Sequence, residues 1–294
     1  MNNCILCGSS EFQSIYDGPI RSGMWGKETQ YSVEVVACEK CSLTKLKKIE
    51  DQTEFYQSLE YRKQYNKLED AQSLAEIHDH EQSPRIAKIG IQHFRNKTVL
   101  DYGCGHGSFL DVIVGVAAVT YGIEPGQGLH QSLQSRGHKT FTNVNQARKE
   151  LMGKLDVAVS FGVIEHVADP IQYLQNIYDL LKPKGVCYLE TDNLNDILMK
   201  LNIPEFERFF YRTAHLWYFS AETLSGICKK EKFSDVNISY RHNYDLSNFT
   251  LWLRDRKPTG LNRINLFDER ADEGWKAMLE ALGMGELIFL KITK

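Results

Sequence analysis

Between residues 98 and 191 short apolar runs alternate with amphipathic stretches. The runs at 98–100, 119–123, 156–161 and 186–191 read as strands, and the segments 108–114, 127–136 and 170–181 carry helical spacing. Strand and helix in strict alternation imply a mostly parallel α/β sheet with helices on both faces. Downstream the pattern predicts a helix over 221–230, a strand over 236–240 and a last strand over 286–292. The stretch between those two strands holds Trp252, Pro258 and a helix through Trp275.

Upstream the texture differs. Residues 1–50 carry two close cysteine pairs, several turn residues and one alternating run at 31–37, the pattern of a small β-rich module. The stretch 51–94 is polar and helix-favouring, with Phe55, Tyr56, Tyr61 and Tyr65 at near-helical spacing and Pro84 as a break, so two helices are expected. The implied organisation is a module at 1–50, a helical segment at 51–95 and an α/β domain at 96–294 with insertions near 193–220 and 242–285.

Charge and composition narrow the functional classes. The chain has 294 residues, enough for one large domain with an appendage, and a formal charge of −3, which gives no overall positive field for a polyanion. No apolar stretch approaches the roughly 18 residues that span a bilayer, and the N-terminal residues show no secretion pattern. A reducing cytoplasm is therefore expected, where seven cysteines read as metal ligands and buried thiols rather than a disulfide framework. Cys4 and Cys7 form one CxxC pair and Cys38 and Cys41 another. Four such thiolates suit a tetrahedral zinc ion, and with no open position for water the zinc would be structural.

Chemistry concentrates at three strand ends. Val99-Leu100-Asp101-Tyr102-Gly103-Cys104-Gly105-His106-Gly107 places alternating glycines where a strand turns into a helix, so backbone can approach a ligand closely. The spacing G-x-G-x-G differs from the G-x-G-x-x-G of dinucleotide sites, and Asp101 would set an anion beside a pyrophosphate. Glu124, after the second strand, can accept both hydroxyls of a ribose. The third segment, from Asp156 through Phe161 to Gly162-Val163-Ile164-Glu165-His166-Val167-Ala168-Asp169-Pro170, runs from an apolar strand through a polar loop to a proline-started helix.

In this order and spacing the three segments resemble the class I S-adenosylmethionine-dependent methyltransferases, over roughly residues 86–240. The resemblance implies a Rossmann-like sheet of seven strands, the last antiparallel, here with an N-terminal zinc ribbon. It assigns Asp101, Gly103 and Gly105 to the methionyl end, Gly107 to the same cofactor-binding turn, Glu124 to the ribose, Phe161 to the cofactor, and Asn143 and Val144 to the adenine. The cysteine module, the aromatic helix and the Tyr211–Ser220 stretch are also similar to bacterial methyltransferases of deoxysugars and other surface-glycan or natural-product precursors. Ala214 stands where the C-methylating members have a glutamate before the histidine, which favours a hydroxyl acceptor. The expected partner is thus a small sugar or nucleotide-sugar, with neither nucleic acid nor membrane. His215 or His166 would take the acceptor proton, and Tyr61, Tyr211 or Tyr218 would orient the substrate. An RNA methyltransferase gripping RNA through the zinc module and a non-catalytic cofactor-binding scaffold are the rival readings. The near balance of basic and acidic residues in 1–50 weighs against the first.

Overall fold

The structure, a computed structural model, describes residues 3–23, 26–48, 78–258 and 266–294. The chain forms two compact units. One contains 78–189 with short returns at 231–236 and 291–294; the other contains the N-terminal module, 190–230 and 237–290.

The first unit is built on the strands β4 (Thr98–Tyr102), β5 (Val119–Ile123), β6 (Lys139–Phe141) and β7 (Leu155–Phe161), and on the start of β8 (Leu181–Asp192). With β10 (Ser234–Arg241) and β11 (Leu287–Thr293) they make a seven-stranded sheet in the order β10-β11-β8-β7-β4-β5-β6. β4 lies parallel to β5 and β7, with Asp101 opposite Gly122 and Val159. The backbone pairs Lys184–Lys294 and Asn193–Glu286 run β11 antiparallel to β8, as expected for the last strand. Val99, Leu100, Ala158 and Val159 are fully buried, because helices cover the parallel strands and leave no face for polar residues. Those helices are α1 (Gln82–Ile89), α2 (Ser108–Ile113), α3 (His130–Ser135), α4 (Val144–Leu151) and α5 (Pro170–Leu180). Asp169 caps α5 by accepting the Gln172 N–H at 3.0 Å, and Pro170 supplies a first position that needs no donor.

The second unit contains an antiparallel sheet in the order β1 (Phe12–Gly18), β2 (Val33–Cys38), β3 (Thr44–Leu46) and β9 (Trp217–Tyr218). β9 joins through the pairs Thr44–Tyr218 and Lys45–Trp217, a contact with no local sequence signal. Helices α6 (Ile197–Lys200), α7 (Pro204–Phe210), α8 (Ala221–Lys230), α9 (Leu246–Asp255) and α10 (Glu269–Ala281) complete it. α8 lies on the first cysteine knuckle, where a methyl added to Gly226 would come within 3.0 Å of Leu6 and Lys230 Nζ donates to the Ile5 carbonyl at 2.6 Å. Trp252 on α9 packs on Phe206 and Phe209 of α7. No helix among the described residues is long and apolar enough to cross a membrane.

Candidate active site

The carboxyl ends of β4 and β5 carry the two acids singled out in the sequence. Asp101 and Glu124 are both buried. Glu124 ties the two loops together: its Oε2 accepts the Gly105 N–H at 3.1 Å and its Oε1 accepts the Gly126 N–H at 2.7 Å. Its carbonyl accepts from His130 Nε2 at 2.7 Å. Gly103 and Gly107 adopt φ of +87° and +94°, in the left-handed region, and a Cβ would sit 2.5 Å from Val163 and 2.4 Å from Leu133. A Cβ on Gly105, by contrast, would meet none of the described residues within 4 Å.

Burial pushes the Asp101 carboxyl up to about 7; Arg85 pulls it back part of the way and Glu124 adds to the rise. Arg85, on α1, escaped sequence reasoning because a lone arginine on a polar helix gives no signal. Its guanidinium lies 4.5 Å over the Phe161 ring and 3.0 Å from Glu81. Phe161, at the end of β7, also meets Phe109 edge-on with centroids 5.0 Å apart. The segment before α1 is anchored by a relay that the sequence also hid. Burial and the nearby His78 hold the His106 imidazole down to about 4; its Nε2 lies 2.6 Å from Ser108 Oγ, and Ser108 donates to Asp79. Asn143 and Val144 follow β6, with Asn143 capping α4 through the Gln146 N–H at 3.1 Å. His166 closes the short 3₁₀ turn Ile164–His166 after β7. Tyr61 lies outside the described residues.

In the other unit His215 is buried, and its Nδ1 lies 3.2 Å from Asp192 Oδ2 at the end of β8. Arg212 pairs with the same carboxylate. Burial pushes the Asp192 carboxyl up, but the charges of Arg212 and His215 outweigh it and hold the group well below the usual carboxylate range. A carboxylate thus does stand beside the histidine, supplied by β8 and not by position 214. Tyr218 is fully buried and its hydroxyl accepts the Arg212 N–H at 2.9 Å and donates to the Arg212 carbonyl at 3.1 Å, so it is spent on the fold. Tyr211 is likewise buried, against Tyr16 and Tyr218.

The four cysteines of the module converge. Their sulfurs all lie within 4.8 Å of one another, with Cys4–Cys41 and Cys7–Cys38 each at 3.5 Å. A tetrahedron with Zn–S bonds of about 2.3 Å has edges of about 3.8 Å, so the cluster has the size of a metal site. Both knuckles turn alike: the Gly8 N–H bonds to the Cys4 carbonyl and the Ser42 N–H to the Cys38 carbonyl, each at 2.8 Å, with Gly8 and Ser42 both at positive φ.

The span that carries this glycine turn and its two buried acids also matches known proteins. A family model described as a methyltransferase domain matches residues 74–238, more than half of the chain. The chain belongs to this methyltransferase-domain family. Among the curated relatives of the methyltransferase is a ubiquinone biosynthesis O-methyltransferase of Pseudomonas paraeruginosa. It is 34% identical over 107 residues, which are 34% of this chain and 46% of the relative. A tRNA U34 carboxymethyltransferase of Idiomarina loihiensis is 27% identical over 212 residues, covering 65% of the chain and 62% of the relative. The methyltransferase spans about half the length of the ubiquinone-type relatives it matches, 46% and 54% for two of them. Its fold is that of a SAM-dependent methyltransferase from Archaeoglobus fulgidus: the TM-score is 0.51 at 18% identity, over 75% of this chain and 94% of the other.

Proposed function

We propose that the protein transfers a methyl group from S-adenosylmethionine to a hydroxyl of a small metabolite. The observation that carries this is the buried pair Asp101 and Glu124 flanking a glycine turn whose middle residue, Gly105, has room beside it among the described residues. The donor's zwitterionic tail matches the site: Asp101 faces its ammonium and Arg85, the neighbouring cation, its carboxylate, while Glu124 accepts the two ribose hydroxyls. Phe161 flanks the cofactor, Gly103 and Gly107 keep the turn in shape, and Asn143 and Val144 contact the adenine. Bound there, S-adenosylmethionine supplies an electrophilic methyl on a sulfonium.

The protein's remaining task is the acceptor's proton. His215 takes it, and the anionic Asp192 beside its ring stabilises the imidazolium that results. His166 is the second choice and Tyr61 an orienting group. The acceptor hydroxyl fits the ubiquinone-type relative, an O-methyltransferase by name. Neither relative named above carries a sugar in its name, so the sugar or nucleotide-sugar is kept as one class in an acceptor panel. The tRNA enzyme among the relatives makes tRNA the second reading. We further propose that Cys4, Cys7, Cys38 and Cys41 hold one structural zinc ion.

The experiment supplies methyl-labelled S-adenosylmethionine with phenolic, sugar and nucleotide-sugar pools and, separately, bulk tRNA. Label is expected in a small-molecule fraction; label in tRNA alone would contradict the small-acceptor reading. His215→Gln is expected to keep cofactor affinity while kcat falls by about 10² to 10⁴. An unchanged kcat at every pH would remove His215 as the base.

A further inference from the structure

The opposite end of the sheet carries a cavity of about 250 Å³, lined by His93, Lys97, Asp156, Lys182, Lys184 and Tyr188 among others. Lys97 directly precedes β4, Asp156 is the second residue of β7, and Lys182 and Lys184 belong to the first turn of residues in β8. These are the amino ends of the strands. Asp101 and Glu124 sit at the carboxyl ends: Asp156 lies level with Thr98, three residues or about 10 Å before Asp101, and Glu124 is further along. The cavity is therefore separate from the proposed methyl-transfer site.

Its charge does not balance. Asp156 is committed: Oδ2 accepts the Thr98 N–H and Oδ1 accepts from Lys182 Nζ, both at 2.9 Å. Burial pushes its carboxyl up, but Thr98, Lys182 and Lys97 together hold it below its ordinary value, so it stays ionised. One carboxylate against three lysines leaves a surplus of two positive charges, and no ion pair among the described residues engages Lys97 or Lys184. Lys184 is held at a φ of +65°, a conformation that favours glycine or asparagine. The cations are ammonium groups on separate arms, suited to a compact tetrahedral anion with several oxygens and less suited to the planar fork of a carboxylate. The volume lies below the ~300–1,000 Å³ of drug-sized ligand sites, which fits a phosphate with a short attached group.

We propose that this basal cavity binds the phosphate dianion of a small phosphorylated metabolite. Titration calorimetry of the full chain with inorganic phosphate, at constant ionic strength set by chloride, provides the test. Saturable binding of one phosphate per chain is expected, weakened at least tenfold in Lys97→Gln/Lys184→Asn. Both lysines are exposed and asparagine tolerates the backbone of position 184, so melting in chloride and affinity for S-adenosylhomocysteine should stay as in the wild type. That control also keeps this test independent of the cofactor site. Phosphate heat no greater than that of chloride, or equal binding in the double variant, would overturn the proposal. So would single-stranded RNA that binds far more tightly than phosphate and loses that binding in the same variant, since the lysines would then serve a nucleic-acid backbone.

Discussion

The proposed role of Asp101 would tie the fold and ligand binding to one proton. Its carboxyl sits at about 7 against an ordinary 3.8 because burial outweighs the help from Arg85. A group whose folded value is raised stabilises the protein fully below its unfolded value, and this contribution is lost as pH rises through the folded value. At high pH the loss totals about 4 kcal/mol, three units at 1.36 kcal/mol each. Between pH 6 and pH 8 the fold should lose about 1.4 kcal/mol through Asp101 alone. Asp101→Asn is uncharged at both pH values, so its urea-derived stability relative to wild type should improve by that amount from pH 6 to pH 8. Other titrating groups cancel in this double difference. If Asp101 faces the ammonium of S-adenosylmethionine as proposed, the same proton governs the ligand: a cationic amine needs the ionised carboxylate, so binding should be about tenfold weaker at pH 6 than at pH 8. A stability difference between variant and wild type that is flat from pH 6 to 8 would refute the burial argument.

Two further perturbations probe the other unit. Cys38→Ser should release one zinc per chain and raise hydrogen exchange in residues 3–48 far more than in β4, β5 and β7; metal analysis that finds no zinc in protein purified without chelator would contradict this. Arg241 Nε and Nη2 meet the Glu190 carboxylate at 2.7 and 2.9 Å, both residues buried. Arg241→Met removes the two charge-assisted bonds to this buried carboxylate and should cost about 3–5 kcal/mol in urea denaturation, whereas Glu190→Gln/Arg241→Met should cost less. A single-variant cost below ~1 kcal/mol would show that the pair does little for stability.

Sequence revealed the parts in which local chemistry and local geometry coincide. β5 and α8 end where periodicity ends them, and Gly103 and Glu124 are visible because a sharp turn needs glycine and a ribose needs an acid at a strand end. β6 gives no periodic signal, since it has three residues after the turn at Gly137, and only the adenine loop at Asn143 and Val144 that the family resemblance implies points to a strand before it. α4 was missed for the opposite reason, since only Ala147 and Leu151 are buried in a helix otherwise polar. β8 runs five residues further upstream than expected because the Lys182-Pro183-Lys184-Gly185 stretch reads as a turn yet continues the strand. Arg85 over Phe161, Asp192 beside His215 and β9 alongside β3 are long-range meetings. Residue spacing carries no trace of such contacts, which depend on how the elements pack.

The central claim is that the glycine turn and its two acids form an S-adenosylmethionine site, and calorimetry with S-adenosylhomocysteine tests it most directly. One molecule should bind per chain, and Glu124→Ala, which removes the acceptor of two ribose hydroxyls, should weaken that binding at least tenfold. Unchanged affinity in the variant, or tighter binding of a nicotinamide dinucleotide than of S-adenosylhomocysteine, would contradict it.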